Sequence, residues 1–190
     1  MQILIVDFDA ERLDLLTAAM QKFNIDYAVV KHGFDLASVN FDSIGGVVFS
    51  GSPSCSFEPN APDIDKAIYD KGVPILGICY GMQLTAIKFG GKVEKSPTPE
   101  HGATKIEFFG GRLSQGLGAE TEHMTHYDYV TKVPEGFTVT GKSKDCPVAS
   151  MENADKNIYL VQFHPEFFIA PSDDVIFANF LFNICHFPRK

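Results

Sequence analysis

Residues 74–89 read Pro-Ile-Leu-Gly-Ile-Cys-Tyr-Gly-Met-Gln-Leu-Thr-Ala-Ile-Lys-Phe, and they decide how the rest of the chain is interpreted. The apolar run Pro74–Ile78 predicts a buried strand, and Met82–Phe89 predicts a helix that two glycines end. Between them, Cys79 stands in a glycine–x–nucleophile–x–glycine pattern, which is typical of a reactive side chain on a sharp strand-to-helix turn. The helix N-terminus favours a thiolate there. We therefore expect Cys79 to be a nucleophile; a buried core cysteine is the alternative.

Strands and helices alternate through the first half of the chain. The predicted strands before this turn are Ile3–Val6, Tyr27–Val30 and Gly46–Ser50. Helical spacing of apolar residues predicts helices over Glu11–Phe23 and Asp63–Lys71. Such alternation indicates βαβ units and a mostly parallel sheet, so the fold class is α/β.

The pattern changes after residue 90. Asp173–Ile184 predicts a closing amphipathic helix, and Pro97–Glu100 is the most loop-like stretch. Short β-like runs without long helices between them predict an antiparallel or mixed extension of the sheet. These runs are Thr104–Phe108, His123–Met124, Thr138–Thr140, Val148–Met151 and Ile158–Phe163.

Composition narrows the class of protein. The chain has 190 residues, a net charge of −8 and 45% hydrophobic residues, which fits one domain with a real core. The acidic balance argues against binding nucleic acid or an anionic membrane surface. Four scattered cysteines without a Cys-x-x-Cys pair argue against a disulfide scaffold and a structural zinc site. The sequence lacks a signal-peptide pattern and a long apolar run, so we expect a cytoplasmic, reducing compartment and no membrane partner.

A cysteine nucleophile needs a base, and His164 is the candidate. It follows a predicted strand and begins the tripeptide His164-Pro165-Glu166. Residues two apart in an extended segment face the same side, so Glu166 is expected to orient the imidazole. Pro165 is expected to keep the segment extended. The alternatives are a metal site, for which no third ligand has suitable spacing, and a plain His-Pro turn.

The two motifs together, Gly77–Gln83 and Val161–Glu166, resemble the class I (triad) glutamine amidotransferases. Met124–Asp128 (Met-Thr-His-Tyr-Asp) and the Cys146-Pro147 pair are most similar to the glutaminase subunits and domains of GMP synthetase. The similarity runs from about Ile3 to Cys185. It implies a single amidotransferase domain over residues 1–190. The expected fold has three layers: a flavodoxin-like, mostly parallel sheet with helices on both faces, and the β extension.

The resemblance implies a chemistry. Cys79 attacks the side-chain amide of glutamine, and His164, held by Glu166, passes a proton to the leaving ammonia. Water then hydrolyses the glutamyl thioester. The backbone N–H groups of Ser52 and Tyr80 match the oxyanion hole.

Further matches concern the substrate and partner. Gln83 and the segment His126, Tyr127 and Asp128 match positions that bind glutamine. The resemblance implies no cofactor in this chain. A chain of 190 residues has no room for a second catalytic domain. ATP and Mg²⁺ are therefore expected in a separate ATP-pyrophosphatase or synthetase subunit that uses the ammonia to convert XMP to GMP.

The sequence departs from the GMP synthetase pattern at four places. Ser52 replaces a glycine, which would cost about 1 kcal/mol if that position needs a positive φ. His123 replaces a tryptophan. The first loop, Asp7–Arg12, and the segment Phe167–Pro171 also differ, and we expect both to face the mouth of the site or the partner.

Three other functions stay open. The chain could be a stand-alone hydrolase of γ-glutamyl compounds. It could donate ammonia to a different synthetase. It could also be a non-catalytic module that keeps the amidotransferase fold.

Overall fold

The computed structural model describes residues 1–189, and the strands of this part of the chain form one nine-stranded mixed sheet. The strands are β1 Gln2–Asp7, β2 Tyr27–Lys31, β3 Ile44–Phe49, β4 Ile75–Ile78, β5 Lys92–Phe108, β6 Ala119–Lys132, β7 Thr138–Lys142, β8 Ser150–Asn153 and β9 Ile158–Val161. The helices are α1 Leu13–Lys22, α2 Tyr80–Lys88 and α3 Pro171–Ala178, and α3 continues as a π-helix over Asn179–Ile184.

The sheet has a parallel half and an antiparallel half. Its order is β2-β1-β3-β4-β9-β8-β7-β5-β6. Strands β2, β1, β3, β4 and β9 run parallel, and pairing from β9 to β6 is antiparallel. The predicted α/β class with an antiparallel extension is therefore confirmed. Strand β9 joins the halves, which places residues 162–166 beside the carboxyl end of β4.

Both faces of β1 and β3, inside the parallel half, are almost entirely buried, whereas the edge strand β2 is partly exposed. Ile3 and Ile5 of β1 belong to one hydrophobic cluster, whereas Leu4 and Val6 belong to another. This follows from the two-residue period of a strand. Helices α1 and α3 contribute to the first cluster and α2 to the second. The flavodoxin-like, three-layer form stays a prediction. None of the helices within residues 1–189 is both long and apolar enough to span a membrane.

The helix predicted over Asp63–Lys71 is wrong in type and length, since only Lys66–Asp70 forms a 3₁₀ helix. Aspartate side chains account for the difference. The Asp63 carboxylate accepts a hydrogen bond from the Ile64 N–H at 2.8 Å, and the Asp65 carboxylate accepts one from the Ala67 N–H at 2.9 Å. Such local bonds compete with the helical ladder.

The loop predicted at Pro97–Glu100 lies inside the long strand β5. The pairing with β6 is irregular there, because Lys95 pairs with Asp128 and Glu100 pairs with His126. The prolines, which cannot donate ladder hydrogen bonds, fall within this interruption. Similarly, the short runs predicted at Thr104–Phe108 and His123–Met124 are parts of β5 and β6.

Candidate active site

Cys79 lies on the turn between β4 and α2 in an unusual backbone conformation, with φ 51° and ψ −103°. A Cβ atom added at Gly81 would lie 2.6 Å from the Phe49 Cβ atom and 2.9 Å from its carbonyl oxygen. One added at Gly77 would lie 2.6 Å from Leu160 Cδ2. The glycines therefore allow the turn to pack against β3 and β9. This is the strained turn that the sequence predicts.

The Cys79 sulfur faces polar groups although the residue is buried. Its Sγ atom lies 3.8 Å from the Thr125 carbonyl oxygen and 3.5 Å from Gln162 Nε2. The residue also caps the N-terminus of α2, where unpaired N–H groups favour negative charge.

His164 and Glu166 are hydrogen-bonded, with 2.7 Å between Nδ1 and Oε1. The predicted contact is present, but the predicted extended geometry is wrong. Pro165–Phe167 is a 3₁₀ helix, and proline fits the first position of a helix because its missing N–H would be unpaired there. The tight turn brings the carboxylate to the Nδ1 atom of the ring. The backbone N–H of His164 donates to the His123 carbonyl oxygen at 2.8 Å, which anchors the backbone at His164 to β6.

The electrostatics of His164 favour the imidazolium form. Burial lowers the pKa of His164, whereas the Glu166 carboxylate and the Cys79 sulfur raise it. The two raising effects together are larger, so the pKa of His164 lies well above its ordinary value. Its Nε2 atom is buried without a hydrogen-bond partner among residues 1–189. The ring is therefore held at Nδ1 and free to exchange a proton at Nε2.

The candidate residues surround one cleft of about 400 Å³. Ser52, Cys79, Gln83, His126, Tyr127, Asp128, His164 and Glu166 all line it. Tyr80 differs, because its side chain is buried and its hydroxyl donates to the Pro62 carbonyl oxygen. Tyr80 is the first residue of α2, so only its backbone N–H is suited to the predicted role in the oxyanion hole.

The loop after β3 packs against the side chains of Cys79 and His164. A Cβ atom added at Gly51 would lie 3.0 Å from His164 Cε1 and 3.8 Å from Cys79 Cβ. Ser52 is not among the described residues with positive φ. The strain considered for this serine is therefore not present here. Its hydroxyl instead accepts a hydrogen bond from the Ser54 N–H at 3.1 Å.

Gln83 and His126 use their polar atoms inside the protein. Gln83 Nε2 donates to the Asp128 carbonyl oxygen at 2.9 Å, and His126 Nδ1 contacts the same oxygen at 3.1 Å. His126 Nε2 lies 3.1 Å from Glu100 Oε2. Both side chains thus position Asp128, whereas Tyr127 is 69% exposed. Glu100 was missed because its pairing with His126 depends on the strand register.

Glu100, His126 and Cys146 bring a carboxylate oxygen, an imidazole nitrogen and a thiol sulfur within 4.8 Å of one another. Hydrogen bonds account for this cluster. Glu100 also accepts from the Ser143 hydroxyl at 2.6 Å, and the Cys146 thiol donates to the Val148 carbonyl oxygen at 3.4 Å. Burial, chiefly, raises the pKa of Cys146 to about 12, which keeps it a neutral thiol.

Parts of the two divergent segments, Asp7–Arg12 and Phe167–Pro171, reach the cleft. Ala10, Glu11 and Arg12 line the cleft together with Phe167. The His123 ring stacks on Phe167, with ring centroids 4.2 Å apart. Sequence differences at Ala10, Glu11, Arg12 and Phe167 therefore change the lining of the cleft.

Known proteins share this sequence pattern along nearly the whole chain. A family model for class-I glutamine amidotransferases matches residues 4–184. Glutamine-hydrolysing GMP synthases of Clostridium botulinum strain Alaska E43 and Carboxydothermus hydrogenoformans are 39% and 40% identical to it over 185 and 187 residues. These matches cover 96% and 97% of the chain but 36% of each relative, so the chain spans about a third of their length.

Solved structures are similar to this chain over nearly its whole length. A Thermoplasma acidophilum protein, provisionally assigned as one subunit of a GMP synthase, superposes with a TM-score of 0.81 at 30% identity, covering 97% of this chain and 94% of that one. A Thermotoga maritima glutamine amidotransferase also has a TM-score of 0.81, covering 98% of this chain and 99% of that one. At 16% identity the second likeness shows the shared fold alone.

Proposed function

The chain belongs to the class I glutamine amidotransferases, and from that premise we propose that it hydrolyses glutamine to glutamate and ammonia through a thioester on Cys79. The observation that supports this most directly is the shared cleft, in which a cysteine on a strained turn meets a histidine held by a carboxylate. Nucleophile, base and orienting group are the three parts that acyl transfer needs.

The proposed reaction has two stages. The Cys79 thiolate attacks the carboxamide carbon of glutamine, and the C–N bond breaks as the His164 imidazolium gives its Nε2 proton to the leaving ammonia. Water then attacks the thioester while His164 takes a proton from it, and the C–S bond breaks to release glutamate. Glu166 holds the Nδ1–H throughout. The backbone N–H groups of Ser52 and Tyr80 would stabilise the oxyanion from about 3 Å.

The substrate pocket is proposed on the β6 side of the cleft. Asp128 Oδ1 is buried with no hydrogen-bond partner in the described part of the chain, so it can accept a bond from the ammonium group of glutamine. Gln83 and His126 would shape this wall by holding the Asp128 backbone, and Tyr127 would cover the opening.

We further propose that the ammonia serves an ATP-pyrophosphatase or synthetase subunit that converts XMP to GMP. The names of the relatives support this acceptor, and the 36% coverage leaves the remaining length of those proteins for the second reaction. ATP and Mg²⁺ would bind that partner, and no cofactor is proposed for this chain. The net charge of −8 favours neither nucleic acid nor membrane as a partner. All four cysteines are free thiols, which supports a cytoplasmic location.

Residues 1–190 are proposed as one amidotransferase domain with a flavodoxin-like, three-layer core. The alternation of β1 side chains between two buried clusters supports the layers.

A glutaminase assay with and without an XMP-aminating synthetase, ATP and XMP tests the proposal. We expect hydrolysis that rises with the synthetase present, and covalent labelling of Cys79 by an electrophilic glutamine analogue. Cys79→Ala should abolish both, whereas Cys55→Ala, a matched change at a partly buried thiol, should keep both. Hydrolysis that survives in Cys79→Ala would refute the mechanism. Full activity without response to the synthetase would favour a stand-alone hydrolase.

A further inference from the structure

Two hydrogen-bonded side-chain amides lead to the Cys79 sulfur. Gln162, which is fully buried just beyond β9, has its Nε2 atom 3.5 Å from Cys79 Sγ. Gln83 Nε2 lies 3.2 Å from Gln162 Oε1, and the Ser56 hydroxyl lies 3.4 Å from Gln83 Oε1. The two-stage reaction proposed for the cleft gives Gln162 no part.

The orientation of both amides is fixed by a backbone group. The Asp128 carbonyl oxygen can only accept, so the Gln83 group 2.9 Å from it must be the NH₂. That NH₂ has two hydrogens, and the second points to Gln162, which must therefore present its oxygen. The Gln162 NH₂ is left facing the sulfur. An amide that donates to sulfur stabilises a thiolate more than a thiol.

We propose that Gln162 is a further catalytic residue, which donates an N–H···S hydrogen bond to the Cys79 thiolate, and that Gln83 is a positioning residue acting through it. This deepens the proposed function, since it rests on Cys79 being the nucleophile. Both hydrogens of the Gln83 amide are committed to Asp128 and Gln162.

The other groups near the sulfur define what must stay constant in a test. His164 and Glu166 supply charge from the segment after β9, and Cys146 adds a neutral thiol nearby. The Thr125 carbonyl oxygen faces the sulfur from β6. Variants at Gln162 and Gln83 leave all four residues unchanged.

The test is the pH profile of Cys79 alkylation by iodoacetamide, followed on the Cys79 peptide by mass spectrometry. Gln162→Met keeps the side-chain length but removes the N–H donor, so the alkylation midpoint should rise by about one pH unit, a tenfold loss of thiolate below the midpoint. Gln162→Glu keeps the oxygen that Gln83 needs but faces the sulfur with an acceptor, so its midpoint should rise further. Gln21→Met, the same change at an exposed position on α1, should leave the profile unchanged.

Gln83→Met should move the midpoint in the same direction by a smaller amount, because Gln162 stays but loses its orientation. If urea unfolding shows that Gln162→Met does not fold, Gln83→Met is used to test the inference in its place. A folded variant of either kind with an unchanged midpoint overturns the inference. The measurement needs no glutamine turnover. Shifted midpoints in a chain without glutaminase activity, even with the synthetase present, would therefore contradict the proposed function and still confirm the N–H···S hydrogen bond.

Discussion

At the scale of single residues, the bond from His164 Nδ1 to Glu166 Oε1, 2.7 Å long, decides which ring nitrogen keeps its proton when the imidazole is neutral. A carboxylate can only accept, so Nδ1 holds a hydrogen and Nε2 faces the cleft. In Glu166→Gln the amide can present its NH₂ instead and favour the wrong tautomer. We expect glutaminase kcat to fall on the order of 10³-fold, with a smaller change in KM for glutamine.

Steady-state kinetics would check this, with exposed Glu135→Gln as the matched control. An activity equal to that of the unchanged chain would show that Glu166 does not orient the imidazole.

Residue types and motif spacing were sufficient to identify the candidate nucleophile, base and orienting carboxylate, and the structure brings all three to one cleft. They were not sufficient to predict which buried side chains contact these residues and the others that line the cleft. The contact of Gln162 with Cys79 and that of Glu100 with His126 both depend on how separate strands are aligned. The strain considered for Ser52 is not present, because its φ is not positive.

At the scale of elements, the turn between β4 and α2 depends on Gly81. A methyl group there would meet the Phe49 Cβ atom at 2.6 Å and its carbonyl oxygen at 2.9 Å, and backbone atoms of β3 cannot move aside easily. We therefore expect Gly81→Ala to lower the free energy of unfolding by about 1–3 kcal/mol and to displace the nucleophile.

Urea unfolding and a glutaminase assay would measure both effects. Gly118→Ala is the control, since a Cβ atom there meets nothing within 4 Å. Equal stability of the two variants would contradict the close packing of the turn.

The elements that the sequence predicts well are those with a strong apolar period. Strands β1 to β4 and helix α1 fall within a few residues of their predicted bounds. The failures have local causes. Aspartate side chains shorten the helix predicted over Asp63–Lys71. The long strands β5 and β6 alternate polar and buried residues, and prolines interrupt the first of them.

At the scale of the whole molecule, two buried carboxyl groups connect the antiparallel extension to the last helix. Glu122 of β6 and Asp173 of α3 are both fully buried. Burial, with a smaller contribution from Asp173, raises the pKa of Glu122 to about 9, and burial also raises that of Asp173. Because this raised pKa leaves Glu122 protonated at neutral pH, we expect it to share the proton with Asp173 and so to hold the two elements together.

This proton gives stability a predictable pH dependence. The unfolded chain releases the Glu122 proton near its ordinary pKa of 4.5, whereas the folded chain holds it to about 9. Between these two pH values the folded state therefore binds more protons than the unfolded state. The contribution of the Glu122 proton to the free energy of unfolding falls as the pH rises through that window. Glu122→Gln keeps the neutral shape without the titration. We expect this variant to lose less stability than the unchanged chain between pH 6 and pH 9, in urea unfolding followed by circular dichroism. Exposed Glu135→Gln should follow the unchanged chain, and parallel curves for all three proteins would show that the pair does not share a proton.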